Sequence, residues 1–461
     1  MDINNLLASD LSDTKKVQLL LEDALPKKIK TYQDYYDGEH EVLKRYNKAD
    51  PSVEVNKIVL NFCKQIVDFA TYWLLANPPK LINNTPELET TFLDFEKSYK
   101  DALVNNLNIK LGQTLFSETR AAELLTLSEG KVKYLLLSLR DQTFNANFDD
   151  KGNLTAFVRK YIVNEQIESK VKKIHYIELY TKGGFNKWRE TDEDKNEYEE
   201  LSTPEVKKLK ENYKKINKIP VVYYEIKEPL FWPVKSLQDR LNEIISRLAD
   251  TNDYFADPIL KLFGDIVRDK DGKIGLRKAT TGKVMHLQSI EAEGAQIKSD
   301  AEYLTWDNMP ESIKFEVENL IQNVLYLTHT ANISFDNLKG NIGNLSGSAI
   351  KLMFLDSTLF TKSLKAVLHD FQRRVNVHKA LLDSISATTA YAELDISVEF
   401  QNPIPTNEKE FIDMLSVSVM SGFMSKETAI EKNPLISNSE AEKKRIESEK
   451  EVNNFGESFN L

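Results

Sequence analysis

With one cysteine, Cys63, in 461 residues, the chain has no partner for an intramolecular disulfide, and no zinc or iron–sulfur site built on several thiolates is possible. That usage suits assembly in a reducing cytosol. Glycine (16) and proline (14) are scarce, so long helices are permitted and a turn-dense all-β fold is disfavoured. Histidine is rarer still: there are six, scattered, and His369 and His378 stand nine apart where a helical metal pair needs three or four. No apolar run is long enough to cross a bilayer. The longest, Ile58 to Ala76, is broken by Asn61, Lys64, Gln65 and Asp68 and reads as an amphipathic helix. The opening MDINNLLASD has no basic leader before an apolar run, so no secretory signal is expected. Phosphate-loop, nucleophile-elbow, His-Glu-x-x-His and kinase patterns are all missing, which argues against an enzyme.

Hydrophobic residues make up 41% and charged residues 29%, enough to bury several cores, and the length suggests two to four folded units. The net charge of −10 speaks against a protein that clamps nucleic acid by neutralising phosphate, since such a protein carries a basic face. It leaves room for one that lets a duplex slide past.

Periodicity predicts helices over Lys15–Leu25, Lys28–Tyr36, Asn56–Leu75, where Asn77-Pro78-Pro79 is the stop, and from about Pro86 to Leu125. Between Lys131 and Ile226 the runs Tyr134–Leu139, Thr155–Val163, His175–Tyr180 and Val221–Ile226 predict a small antiparallel sheet. Asp149-Asp150-Lys151-Gly152 and Lys182-Gly183-Gly184 read as its hairpin turns. The charged stretch Thr191–Lys218 reads as an exposed helical insertion, with Glu199-Glu200 solvated. Ser236 and Asp239 suggest a capping box opening a helix to about Ala256. A β-like patch follows (Ile259–Phe263, Lys283–Leu287, Gln296–Ser299), then a helix from Pro310. Two helices of similar length thus flank a β insert of about fifty residues. Ala331–Leu345 is a polar, Asn- and Gly-rich loop, and Ser346–Ile385 is the longest helical pattern. A strand, Asp395–Phe400, precedes three short helices beginning at Asn407, Ser425 and Ser439, with Glu410 and Glu442 completing capping boxes. Asp269-Lys270-Asp271-Gly272 has the look of a calcium loop, but its twelfth position is Thr280, so a hairpin turn is the better reading. Cys63 reads as a small packing residue.

Several segments together resemble the long-tailed-phage portal proteins of the SPP1 (Gp6-like) type. Tyr35-Tyr36-Asp37-Gly38-Glu39-His40 resembles the family's N-terminal signature. Asn56-Lys57-Ile58-Val59 through Ile66-Val67-Asp68 to Leu74-Leu75-Ala76-Asn77-Pro78-Pro79 resembles the helix after it, with Ala76 where most members carry Gly. Arg247-Leu248-Ala249-Asp250 to Asp257-Pro258-Ile259-Leu260, Asn341–Lys351 around Gly343-Asn344-Leu345-Ser346-Gly347, and Gly422-Phe423-Met424-Ser425-Lys426-Glu427-Thr428 resemble three further stretches in family order.

The resemblance implies an α+β, mainly helical portal fold. It has a wing (1–232, helical with an antiparallel β part), stem helices at 233–256 and 308–330, and a β-containing clip (257–307). A tunnel loop with a long wing helix (331–390) and a C-terminal strand with a helical crown (391–461) complete it. It implies a dodecameric homo-oligomer in the virion, at the portal vertex, assembled in the host cytoplasm. The ring would pass double-stranded DNA without sequence preference during packaging and ejection. Its implied partners are the terminase large subunit, a head–tail adaptor, and the major capsid and scaffolding proteins, with no membrane, cofactor, metal or catalytic residue. Asn337, Lys339, Gly340, Asn341, Gly343 and Asn344 would form the DNA-channel loop. Lys261, Arg268, Lys273, Arg277, Lys278 and Lys283 would serve clip docking. Twelve copies at −10 each would carry about −120, so acidic channel walls would repel phosphate and let DNA move. A capsid or baseplate component without a channel is the competing reading; it does not require the order helix, β insert, helix, polar loop, long helix.

Overall fold

The computed structural model describes the chain apart from residues 1–2, 23, 49, 168–169, 193–195, 257–259, 264, 267–276, 280–281, 285–286, 289, 293–294, 298–299, 304–309, 333–351, 353, 368–369, 387–390, 402–407, 434, 437–438, 440–441 and 449–461. The N-terminal helices are α1 (Ile3–Ala8), α2 (Asp13–Leu20) and α3 (Ile29–Asp37). Gly38 ends α3 at φ +92°, a left-handed cap that glycine adopts without a Cβ clash. The helix expected from Asn56 begins only at α4 (Phe62–Leu75), because Asn61 accepts from Lys64 N and caps it there. β1 (Lys80–Asn83), α5 (Glu89–Asp101) and α6 (Val104–Glu118) follow.

The helix expected through Leu125 stops at Glu118. Thr119 turns left-handed at φ +72°, and Arg120–Ser128 forms strand β2. Ala121, Ala122, Glu123, Leu124 and Leu125 are all buried there. A strand covered on both faces loses its alternation, so its sequence cannot be told from a buried helix by period. Next come β3 (Lys131–Leu137), β4 (Thr143–Phe148), β5 (Leu154–Ile167), β6 (Lys170–Thr181), β7 (Gly184–Asp192), β8 (Glu197–Glu200), α7 (Pro204–Ile216) and β9 (Val221–Glu225). They build two sheets where one was expected: β3-β2-β9 and the meander β4-β5-β6-β7-β8, all antiparallel. The β4–β5 turn is the expected one, with Asp149 Oδ1 accepting from Lys151 N and Asn153 N and Gly152 at φ +78°.

The stretch 191–218 corrects another expectation. It is not an exposed helical insertion: β7 and β8 occupy its start, and α7 buries Val206, Tyr213 and Ile216 on one face. Glu200 is not free either, since Asn186 Nδ2 (2.8 Å) and Lys210 Nζ (3.0 Å) both donate to it. Charge on the outer face masked a narrow apolar stripe.

The helix α8 (Lys235–Ala256) starts at Lys235, so Ser236 is not its cap. A set of short strands follows: β10 (Leu260–Phe263), β11 (Asp265–Ile266), β12 (Arg277–Ala279), β13 (Gly282–Val284), β14 (Leu287–Gln288), β15 (Ile290–Ala292), β16 (Ala295–Ile297) and β17 (Asp300–Tyr303). Pairing of β10 with β17 brings the two ends of the insert together, and α9 (Pro310–Leu327) returns from it. The run expected as one long helix to Ile385 is described as α10 (Leu355–Val367) and α11 (Phe371–Ile385), so α8, at 22 residues, is the longest described helix. β18 (Ile396–Glu399) pairs with β1, and α12 (Glu408–Met420) and α13 (Lys426–Lys432) follow. Ser425 caps α13 by accepting from Thr428 N at 3.1 Å. Asn407, Asp269 to Gly272 and His369 lie outside the described residues.

The main core gathers α4, α5, α6, the three-stranded sheet and α11; a second packs α1 and α2 against Val158, Ile177, Leu179 and Trp188 of the meander. Cys63 sits wholly inside the first, where burial pushes its thiol up to about 12, as a packing residue should be.

Candidate functional site: a helix pair carrying a β insert

Residues 56–62 run antiparallel to α8 with the two-residue repeat of extended chain. Asn56 N donates to Asp250 Oδ1 (2.6 Å), Ile58 N to Ser246 Oγ (2.9 Å), Leu60 N to Asn242 Oδ1 (3.0 Å) and Phe62 N to Gln238 Oε1 (3.2 Å). The fit is metric. Two extended residues advance about 6.6 Å and four helical residues about 6.0 Å, so alternate amides meet side chains one turn apart. This strap satisfies backbone groups that would otherwise be orphaned beside a helix, and it fixes the direction of α8 relative to the first core.

His40 locks the same joint. It is buried, its Nε2–H donates to Tyr35 O (2.9 Å), and its Nδ1 accepts from Asn242 Nδ2 (2.8 Å). That arrangement needs the neutral ring, and burial lowers its pKa accordingly. Tyr35 OH donates to Asp239 Oδ1 (2.6 Å), which also receives Lys235 on Oδ2 (2.7 Å), and Asn61 Nδ2 donates to Tyr36 O (3.0 Å). The Tyr-Tyr-Asp-Gly-Glu-His signature is therefore a clamp between α3 and α8. Arg45 adds an ion pair to Asp250 at 2.5 Å. Burial raises the Asp250 carboxyl, but the Asn56 amide and Arg45 outweigh it and hold the pKa below the usual range.

On the other side α8 meets α9 through Arg240 and Glu316 (Nη2–Oε1 2.9 Å), a half-exposed pair worth little by itself. α9 leaves Phe315, Tyr326 and Leu327 exposed. Asn242→Leu should cost about 2–4 kcal/mol in the urea unfolding free energy, because Leu60 N and His40 Nδ1 both lose their partner. A loss below about 0.5 kcal/mol would mean that the strap contributes nothing.

Of the residues expected at the insert, Lys261 is the register partner of Glu302, Arg277 of Val284, and Lys278 of Lys283, the last two pairs on one hairpin. Arg268 and Lys273 lie outside the described residues, as do Asn337, Lys339, Gly340, Asn341, Gly343 and Asn344. The strap was not anticipated. Its signal was present: three uncharged polar residues, Gln238, Asn242 and Ser246, recur every fourth position along a helix otherwise amphipathic by charge.

A second buried imidazole lies beside the main core. His378 bonds Ser98 Oγ (3.0 Å) and Tyr134 OH (2.8 Å) beside Phe95, and burial lowers it to about 3, as befits a structural imidazole. Among the described residues no three His, Cys, Asp or Glu side chains are placed to hold a metal ion. Nor is any described helix long and apolar enough to cross a membrane.

A family model described as phage portal protein, SPP1 Gp6-like, matches residues 22–454. Similar solved structures come from gene transfer agent particles. One, from the neck of the empty particle computed with C6 symmetry, is 10% identical over 87% of this chain and 92% of that chain, with a TM-score of 0.48. Another, from the virion of the native particle, is 11% identical over 87% and 92%, with a TM-score of 0.43. A third, from the native neck computed with C12 symmetry, is 10% identical over 89% and 94%, also at 0.43. Curated proteins return no match.

Proposed function

This chain belongs to the SPP1 Gp6-like family of phage portal proteins, and from that premise we propose that it is the subunit of a ring at one vertex of a tailed-phage capsid, the passage for double-stranded DNA. The observation that carries the reading is the family match along 22–454, nearly the whole chain. The order of α8, the β-strand insert, and α9 supports it, since that is what a two-helix stem carrying a clip requires. In this reading 1–232 is the wing, 233–256 and 308–330 the stem, 257–307 the clip, 331–390 the tunnel loop and the helix behind it, and 391–461 the crown. The strap then has a purpose: it transmits load from the stem to the wing through four hydrogen bonds from its amides to side chains of α8.

The role is structural. Twelve copies close through heterologous contacts, the clip receives the terminase motor and later the adaptor, and the loop at 331–345 touches phosphate without reading bases. Negative-stain imaging and light scattering of the purified chain test this. A ring with a central channel and a mass of several hundred kilodaltons is expected, and a stable monomer at micromolar concentration overturns it.

The loop adds a sharper expectation. Lys339→Glu, one reversed charge per subunit, should leave assembly intact and reduce packaged genome length, because like charge faces the DNA. Full heads with parental yield and genome length would remove the loop from the channel.

A further inference from the structure

The meander extends well past its own sheet. β4 pairs with β5 only as far as Lys160, and β7 pairs with β6 only as far as Tyr176. Beyond those limits the register from Ile162↔His175 to Ile167↔Lys170 is a two-stranded ribbon. At about 3.3 Å per residue it reaches on the order of 20 Å. A lone ribbon of this kind is marginal in water and presents unpaired edges on both sides. His175 bonds Glu190 at its base (2.8 Å), and Arg189 reaches Glu165 partway out (2.7 Å). Nearer the tip, Val171 is 72% exposed. Lys170, Lys172 and Lys173 are exposed as well, with no ion pair among the described residues.

The last strand of the same sheet carries the opposite charge. β8 is an edge strand paired only with β7. Its Glu197 and Glu199 are exposed and have no ion pair among the described residues. The outer backbone of β8 is already occupied, since Thr14 Oγ1 and Asp13 Oδ2 accept from Tyr198 N and Glu200 N, so the edge offers carboxylates and not a strand-addition site. One chain therefore bears a basic projecting ribbon and a separate acidic edge.

We propose that the ribbon of one subunit docks on the Glu197–Glu199 edge of the adjacent copy, with Lys170 and Lys172, which share one face of the ribbon, meeting the carboxylates and Lys173 flanking them from the opposite face. The proposal rests on the ring reading above and names the surfaces that close it. Two unlike patches make a head-to-tail contact, which generates rings, where a self-complementary patch would stop at a two-fold dimer.

The test uses the full chain, followed by native mass measurement and negative-stain imaging over a concentration and salt series. The triple change K170E/K172E/K173E should raise the concentration for half-assembly at least about tenfold and leave the far-ultraviolet spectrum and urea midpoint unchanged. E197K/E199K should do the same, and a chain carrying both sets should form rings again. Parental assembly by both one-sided variants overturns the contact, and so does failure of the combined chain to recover. Normal rings with weakened DNA retention in the triple variant also overturn it, assigning the ribbon to nucleic acid. A monomeric parent would overturn the ring reading itself, and this contact with it.

Discussion

Replacing Arg374 with alanine lowers the unfolding free energy by about 3–5 kcal/mol, the largest loss expected from a single residue in this fold. Arg374 on α11 and Glu123 on β2 are both 0% exposed and form a two-pronged pair, Nε–Oε2 2.7 Å and Nη2–Oε1 2.8 Å. Asn108 Oδ1 accepts the remaining arm at 2.7 Å, Tyr224 OH donates to Glu123 at 3.0 Å, and the guanidinium stacks on Phe371. The pair and its partners hold four elements in one geometry: α11, β2, α6 and β9. Removing the cation strands a carboxylate in the core with one hydroxyl donor. The double change Arg374→Met with Glu123→Leu should recover most of the loss, since the penalty lies in the unpaired charge and not in the missing attraction. Chemical denaturation of both variants checks this. A single-variant loss under about 1 kcal/mol, or a double variant no better than the single, rules the account out.

Acidification gives the second large effect. Burial lowers His378 to about 3 against about 6.5 in an unfolded chain, and burial lowers His40 in the same direction. In both, the folded state disfavours the proton. Their contribution is therefore complete above pH ~6.5 and is lost as pH falls from there toward the folded values. His378 alone should cost about 3 kcal/mol between pH 7 and pH 4.5. A second stage begins near the ordinary carboxylate range. Burial pushes Glu178 up, yet Arg159 and Lys187, with the hydroxyls of Tyr180 and Tyr161, hold it down to about 2, so its contribution is lost only below pH ~4.5. Urea midpoints measured from pH 7 to 2 should thus fall in two stages, the imidazoles alone down to pH ~4.5 and the carboxylate in addition below it. His378→Gln keeps an amide for Ser98 and Tyr134 but cannot titrate, and should flatten most of the first step. An unchanged slope in that variant would exclude His378 as its source.

Much of this protein is legible in its sequence alone. The hinge-like order of α8, β insert and α9 was visible because a 22-residue amphipathic helix and a helix opened by Pro310 bracket short β-branched runs. The hairpin at Asp149–Gly152 followed from turn chemistry, which is local. The Gly38 cap lies beside a motif legible by its residues alone, although what His40 does there was not.

The rest was decided by partners far away in sequence. β2 looked helical because both its faces are covered, and only the pairing with β3 and β9 distinguishes it. The 56–62 strap carries helical periodicity that loses to four hydrogen bonds its amides donate to side chains of α8, about 180 residues on. Charged α7 hid a stripe that only the sheet beneath it makes apolar by need. β1 had no legible partner, since Lys80 meets Glu399 across more than three hundred residues. Local chemistry, caps, turns and helical period, acts within a few residues and is written in the sequence. Burial on two faces, a helix used as a ladder and a matched buried charge need a second element in place, so the tertiary structure alone decides them.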